Sequence, residues 1–284
     1  MRALKKIVLM GSPDFALPTL EMLHTHFSGC IQAVFSQPDK PKGRGKHLEP
    51  TSVKARALEL DLPVFTPLDK HSLQAHVFDL NPDLIIVIAY GMILPKAVTD
   101  RFFCLNSHGS ILPAYRGASP IQASLLNGDL ETGVSLIHMN EKMDEGAVVL
   151  NRKLTIEAED NLGTVTDKLA ALSAQACLDF IQTQFIPDHI QEEPQDHTQA
   201  SYCYKLSSAD RELKPEDSLR IKLQKIKAYS PYPGAFLIQD QKRIKILDAK
   251  LDQEQLIPIM VQPEGKQPMP YRDFCLGTPK GISL

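Results

Sequence analysis

The run Asp83-Leu84-Ile85-Ile86-Val87-Ile88-Ala89 decides the fold. After its first residue it is apolar throughout and rich in β-branched side chains, with no polar alternation. Such a run reads as a central strand covered on both faces, the pattern of a parallel sheet. Upstream, Lys6-Ile7-Val8-Leu9-Met10 is a second short apolar run that stops at Gly11, and a helix is predicted over about Phe15 to His26. Ile31 to Phe35 reads as a strand, Thr51 to Leu60 as a helix capped by Thr51 or Ser52, Val64-Phe65 as a short strand, and Pro67 to Leu80 as holding another helix. Strands and helices alternate in this way up to about residue 188. The expected fold is therefore α/β, a doubly wound, mostly parallel, Rossmann-like sheet. The first turn is Gly11-Ser12-Pro13, not G-x-G-x-x-G, so the dinucleotide fingerprint is absent.

Downstream of the central run, Phe102 to Leu105 reads as a further buried strand. It leads into Asn106-Ser107-His108-Gly109-Ser110-Ile111-Leu112-Pro113-Ala114-Tyr115-Arg116-Gly117. Asn106 and His108 are two residues apart, so on extended backbone their side chains leave the same face. Ligands of open parallel sheets bind at the carboxyl ends of strands. There an amide offers a neutral donor to a developing oxyanion, and an imidazole gives or takes a proton near neutral pH. By spacing alone the pair fits a cap beside a satisfied polar residue as well as a catalytic pair; the flanking residues distinguish the two. A helix follows over Ser119 to Leu126 and stops at Asn127-Gly128. Thr132 to Met139 and Ala147 to Ile156 read as strands joined by the polar loop Asn140 to Gly146. Asn161 to Gln184 is a long amphipathic helix with Val165, Leu169, Leu172 and Phe180 on its apolar face.

The composition, with 43% hydrophobic and 23% charged residues over 284 positions, is that of a chain able to bury a full core. Five scattered cysteines without a C-x-x-C pair argue against a zinc site or a disulfide framework and for a reducing compartment. No apolar run approaches the ~20 residues of a membrane span, and the basic start Met1 to Lys6 precedes only a short strand. A cytoplasmic protein without membrane attachment is expected. The net charge of −3 is uneven. Residues 201–284 carry 14 Lys and Arg against 10 Asp and Glu, whereas the remainder carries 17 against 24. A basic tail on an acidic body suits a polyanionic partner, although a solvated Lys-rich surface has the same charge.

Residues Gln37 to Pro50 hold two glycines and three prolines before the next helix, which predicts an irregular loop. Within it Lys40, Lys42, Arg44 and Lys46 form a strip that can meet phosphates without reading sequence. Residues 189–203 are rich in Glu and Gln around Pro194 and read as a linker. Beyond them lie a helix over about Pro215 to Ala228 and short strands at Gly234 to Gln239 and Arg243 to Leu247, a small β-rich module.

These motifs resemble those of the methionyl-tRNA formyltransferase family. The pattern N-x-H-x-S-x-L-P-x-x-R-G-A-x-P-I is carried by Asn106, His108, Ser110, Leu112, Pro113, Arg116, Gly117, Ala118, Pro120 and Ile121. The family's D-x-G loop matches Asp144 and Gly146, and its G-[TS]-P-x-F-A opening matches Gly11 to Ala16. Gln37 to Lys46 is similar to the insertion that the family uses to hold the acceptor end of tRNA. Two departures stand out: Ile111 replaces a common leucine, and Lys142 replaces a common glycine.

The resemblance implies a formyltransferase catalytic domain over 1–188, a linker over 189–203 and a tRNA-binding, oligonucleotide-binding-like β domain over 204–284. That last domain looks shortened, because Asp248 to Leu256 leaves little room for its middle strands. It further implies formyl transfer from 10-formyltetrahydrofolate, without a metal, to initiator methionyl-tRNA by a monomer. Asn106, His108 and Asp144 would be catalytic. Tyr90, Gly91, Ile93, Leu94, Ser110, Ile111, Leu112, Pro113 and Asn140 would surround the folate. Lys40, Lys42, Arg44, Lys46 and Arg116 would face the acceptor, with a surface salt bridge the other reading of Arg116. The nearest alternative is an amino-sugar nucleotide N-formyltransferase with the same donor.

Overall fold

The computed structural model describes residues 4–42, 47–186 and 188–282. It divides into two compact units. The first comprises Met1–Arg116, Gly133–Leu154 and Asp167–Tyr202, and the second Gly117–Thr132, Thr155–Thr166 and Cys203–Leu284.

The first half of the chain supplies β1 (Ile7–Gly11), α1 (Leu17–Phe27), β2 (Ile31–Phe35), β3 (Lys40–Lys42), β4 (His47–Glu49), α2 (Ser52–Glu59), β5 (Val64–Phe65), α3 (Lys70–Leu80) and β6 (Leu84–Ile88). Next come α4 (Lys96–Arg101), β7 (Cys104–His108), β8 (Arg116–Gly117), α5 (Pro120–Asn127), β9 (Glu131–His138), β10 (Ala147–Thr155) and α6 (Leu162–Phe180). The remainder holds β11 (Tyr202–Cys203), α7 (Leu219–Tyr229), β12 (Ala235–Gln239), β13 (Lys242–Asp252), β14 (Gln255–Pro263), β15 (Met269–Pro270) and α8 (Tyr271–Gly277).

The main sheet has the order β10-β9-β7-β6-β1-β2-β5. β1 is parallel to β2 and β6, β2 to β5, and β6 to β7, while β9 runs antiparallel to β7. The α/β reading from residues 83–89 is therefore correct: every residue of β1 and β6 is buried. Helix starts follow their caps. The Thr51 hydroxyl accepts from the Lys54 N–H at the head of α2, and Asp69 and Ser72 form a capping box on α3.

The winding reverses at β1, with β2 and β5 on one side and β6 and β7 on the other. Ligands of open sheets bind at such a crevice. A Cβ on Gly11 would lie 2.8 Å from the Ala16 Cβ and 3.2 Å from the Ile88 carbonyl oxygen, so glycine lets β1 pass close to β6. The Ser12 hydroxyl then donates to the Tyr90 carbonyl and accepts from the Gln37 N–H, both at 3.1 Å. One side chain thus fastens the ends of β1, β6 and β2.

Several sequence expectations need correction. Residues 37–50 are not wholly irregular: β3 and β4 pair as an antiparallel ribbon, Lys40 opposite Glu49 and Lys42 opposite His47. A two-stranded ribbon consists of edges, which tolerate a proline such as Pro41. The strand predicted over Phe102 to Leu105 lies at Cys104–His108 instead, because β9 supplies a ladder as far as His108 opposite Ser135. Residues 189–203, read as a linker, are mostly exposed but are pinned at two points. Glu193 exchanges both backbone hydrogen bonds with Val148 at 2.8 Å, and Gln195 is only 8% exposed.

In the second unit, β12-β13-β14-β15 form an antiparallel sheet. The stretch Asp248–Leu256 does not lack strands. β13 continues to Asp252, turns through Gln253 at φ +51°, and returns as β14. Helix α7 is capped by Ser218, whose hydroxyl accepts from the Ile221 N–H, and it packs on β13. Among the described residues, no helix is long and apolar enough to cross a membrane.

Candidate active site

β7 carries Asn106 and His108, and the loop between β9 and β10 brings Asp144 to them. The Asn106 amide donates to Asp144 Oδ1 at 3.4 Å, and His108 Nδ1 lies 3.7 Å from the same oxygen. The His108 and Asp144 side chains are 7% and 11% exposed. His108 Nε2 sits 2.8 Å from the Tyr115 carbonyl oxygen. A carbonyl only accepts, so Nε2 carries a proton, and Nδ1 is the nitrogen that faces the carboxylate. The three groups read from the sequence as catalytic therefore meet at one point, although 38 residues separate Asn106 from Asp144.

The D-x-G loop has a physical reason for each of its ends. Asp144 has φ +55°, in the left-handed region where Asp is among the better-tolerated residues. A Cβ on Gly146 would overlap the carbonyl oxygen of His138, so only glycine fits there.

The folate-side residues fall into two sets. Tyr90 and Leu94 are buried in one apolar cluster with Met10, Phe35 and Val87. Among the described residues the Tyr90 hydroxyl has no hydrogen-bond partner, and burial pushes its pKa up to about 12. Gly91, at φ +85°, and Ile93 are exposed on the turn after β6. In the loop after β7, the Ser110 hydroxyl donates to the Ala114 carbonyl at 2.6 Å. The Ser135 hydroxyl links the Ser110 carbonyl to the Leu112 N–H, 2.8 Å on each side. Leu112 packs on Ile137 and Val148. These contacts give the loop its shape. Ile111 and Pro113 are half-buried, and the exposed Asn140 side chain accepts from the Lys142 N–H. Asn140 also lines a polar surface pocket of about 220 Å³ with Lys96, Glu141, Lys142, Glu145 and His197.

On the acceptor side, Lys40 is exposed. The side chain of Lys42, and the whole of Arg44 and Lys46, lie outside the described residues. Arg116 departs from its reading as a phosphate-facing or surface residue. It is 1% exposed, and its Nε and Nη2 donate to Gln195 Oε1 at 3.0 and 2.7 Å. Its Nη1 lies 3.2 Å from His197 Nδ1 and 3.7 Å from Glu145 Oε1. Gln195 had no local signal in the sequence, since it sits in a polar stretch 79 residues from Arg116.

This constellation of amide, imidazole and carboxylate lies at the carboxyl end of β7, an inner strand of the sheet, and has the donors and acceptors that a group transfer needs. A model of the formyl transferase family matches residues 5–181, and the chain belongs to this family. Its relatives are more specific. It is 41% identical over 248 residues to the methionyl-tRNA formyltransferase of Kosmotoga olearia, covering 86% of this chain and 79% of that one. The methionyl-tRNA formyltransferase of Hydrogenovibrio crunogenus is 35% identical over 298 residues, 95% of each chain. Two solved structures share the fold. Methionyl-tRNA formyltransferase from Clostridium thermocellum has a TM-score of 0.62 at 17% identity, covering 92% of this chain and 99% of that one. The sugar 3N-formyl transferase WlaRD, solved with dTDP and 5-N-formyl-THF, has a TM-score of 0.69 at 17% identity, covering 94% and 100%.

Proposed function

We propose that this protein transfers the formyl group of 10-formyltetrahydrofolate to the free amine of initiator methionyl-tRNA. The observation that carries the reading is the meeting of Asn106, His108 and Asp144 in a chain 35–41% identical to methionyl-tRNA formyltransferases over most of its length. The fold alone does not choose the acceptor, since tRNA and sugar formyltransferases share it. Sequence similarity favours tRNA.

In this reading Asn106 uses its second amide proton, the one not directed at Asp144, to stabilise the oxygen of the tetrahedral intermediate. His108 Nδ1 is a second donor to that oxygen when protonated. Asp144 takes the proton that the amine loses as its nitrogen bonds to the formyl carbon. As the bond from that carbon to N10 breaks, His108 or Asp144 returns a proton to N10, so the transfer is balanced without any other reactant. Gly91 and Ile93, exposed after β6, and the Asn140 loop suit a flat pterin with amide-like edges. Residues 204–284 and the strip Lys40, Lys42, Arg44 and Lys46 serve tRNA through phosphates. The protein acts as a monomer in the cytoplasm.

The test offers one preparation both acceptors, charged initiator tRNA and an amino-sugar nucleotide, with 10-formyltetrahydrofolate. Formylation of the methionyl amine is expected. Formylation of the sugar alone would replace this function with the alternative.

A further inference from the structure

Gln195 uses its full hydrogen-bonding capacity inside the first unit. Its Nε2 donates to the Asp144 carbonyl at 2.8 Å and to the Gly146 carbonyl at 2.7 Å. Its Oε1 accepts the Arg116 fork described above. A primary amide has two N–H donors and an oxygen with two lone pairs, so no valence is left over. The orientation is also locked. Turning the amide over would set its NH2 against a guanidinium and its oxygen against two carbonyls. Arg116 is itself held from behind: its N–H donates to the Ser201 carbonyl at 2.9 Å, and the Tyr115 N–H donates to the Ser201 hydroxyl at 2.9 Å. The Tyr115 carbonyl is the group that holds His108 Nε2. Both members of the His108–Asp144 pair are thus referred to one assembly, the buried Arg116 and Gln195 with the exposed Ser201 behind them.

We infer that Gln195, oriented by Arg116, is a positioning residue for formyl transfer: it clamps the loop on both sides of Glu145 and so sets Asp144 against Asn106 and His108. This inference rests on the catalytic reading of Asp144. The geometry demands a donor at 195, not merely a polar residue. A glutamate there has the same size and keeps Arg116 paired, but it sets oxygen against two carbonyl oxygens. The loop must then move away.

The experiment compares Gln195→Glu, Asp144→Asn and the double variant, with kcat and both KM values measured for each. Gln195→Glu should lower kcat by roughly 10- to 100-fold, since a reacting group misplaced by ~1 Å can cost about 10²-fold. The KM for folate and for tRNA should stay within about twofold. In the Asp144→Asn background the same change should cost nothing further, because its effect runs through Asp144. Arg116→Lys keeps the charge and loses the fork, and its kcat should fall between wild type and Gln195→Glu. It also serves as the deciding variant if Gln195→Glu does not fold. Wild-type kcat in Gln195→Glu beside a slow Asp144→Asn would overturn the inference and leave the function standing. An undiminished loss in the double variant would also overturn it. A fully active Asp144→Asn would instead remove the catalytic reading itself.

Discussion

Residues 37–50 and 189–203 are both polar, proline-containing and poor in apolar side chains, yet the folded chain treats them differently. In the first, the paired residues of the β3–β4 ribbon leave Lys40, Leu48 and Glu49 exposed. In the second, a glutamine is buried to complete a buried arginine. Polar composition therefore says that a segment will not form a core strand, but not whether its polar atoms end in water. What separates the two is a distant demand. An arginine with no access to solvent needs an acceptor, and burying it without one costs several kcal/mol. Gln195 meets that demand, whereas Lys40 of the ribbon is left exposed.

The comparison is tested most strongly at what Gln195 supports. Asn106→Ala should lower kcat by roughly 10²–10³, or ~2.7–4 kcal/mol of barrier, with the urea midpoint little changed. A variant with wild-type turnover would leave the Arg116–Gln195 assembly holding an inert loop. Next in size, Arg116→Met deprives the buried Gln195 oxygen of both donors and should cost about 1–3 kcal/mol in urea unfolding. No loss of stability would mean that residues 189–203 pack for other reasons. On the exposed segment, replacing Lys40, Lys42, Arg44 and Lys46 together by Gln should raise the KM for tRNA and leave kcat unchanged. The dependence of log affinity on log salt should flatten by roughly 0.7 for each phosphate that is no longer neutralised. An unaltered salt slope would equate the ribbon with ordinary solvated surface.

The smallest effect belongs to the second unit, where a half-buried pair is built from local sequence. Burial pushes the Asp217 carboxyl up, but the Lys225 ammonium at 2.6 Å and the Lys214 N–H outweigh it and hold the pKa below its ordinary value of 3.8. A lowered carboxyl pKa stabilises the fold above the unfolded value, and that stabilisation is lost as pH falls through the folded one. Asp217→Asn should therefore cost about 1 kcal/mol or less at pH 7 and nothing once the pH is below the folded pKa. The check is the urea midpoint of both proteins from pH 7 down to pH 3.

The same contrast explains what could be read from the chain. Buried strands such as β6 and caps such as Thr51 on α2 are written in neighbouring residues, so they were legible. Asn106 and His108 were legible because strand geometry alone puts them on one face. Asp144 came into view only through the D-x-G resemblance, since loop geometry decides where it points. The role of Gln195 was illegible because its partners lie near residues 116 and 144–146, and nothing at 194–196 encodes them. The β3–β4 ribbon is not legible because prolines and glycines argue against strands locally, whereas the pairing depends on the chain meeting itself.

The Ser12 hydroxyl has an evolutionary consequence. Because one oxygen ties the turns after β1, β2 and β6, a residue inserted into any of them would displace the other two. Length variation among relatives is therefore expected to avoid positions 11–12, 36–37 and 89–91.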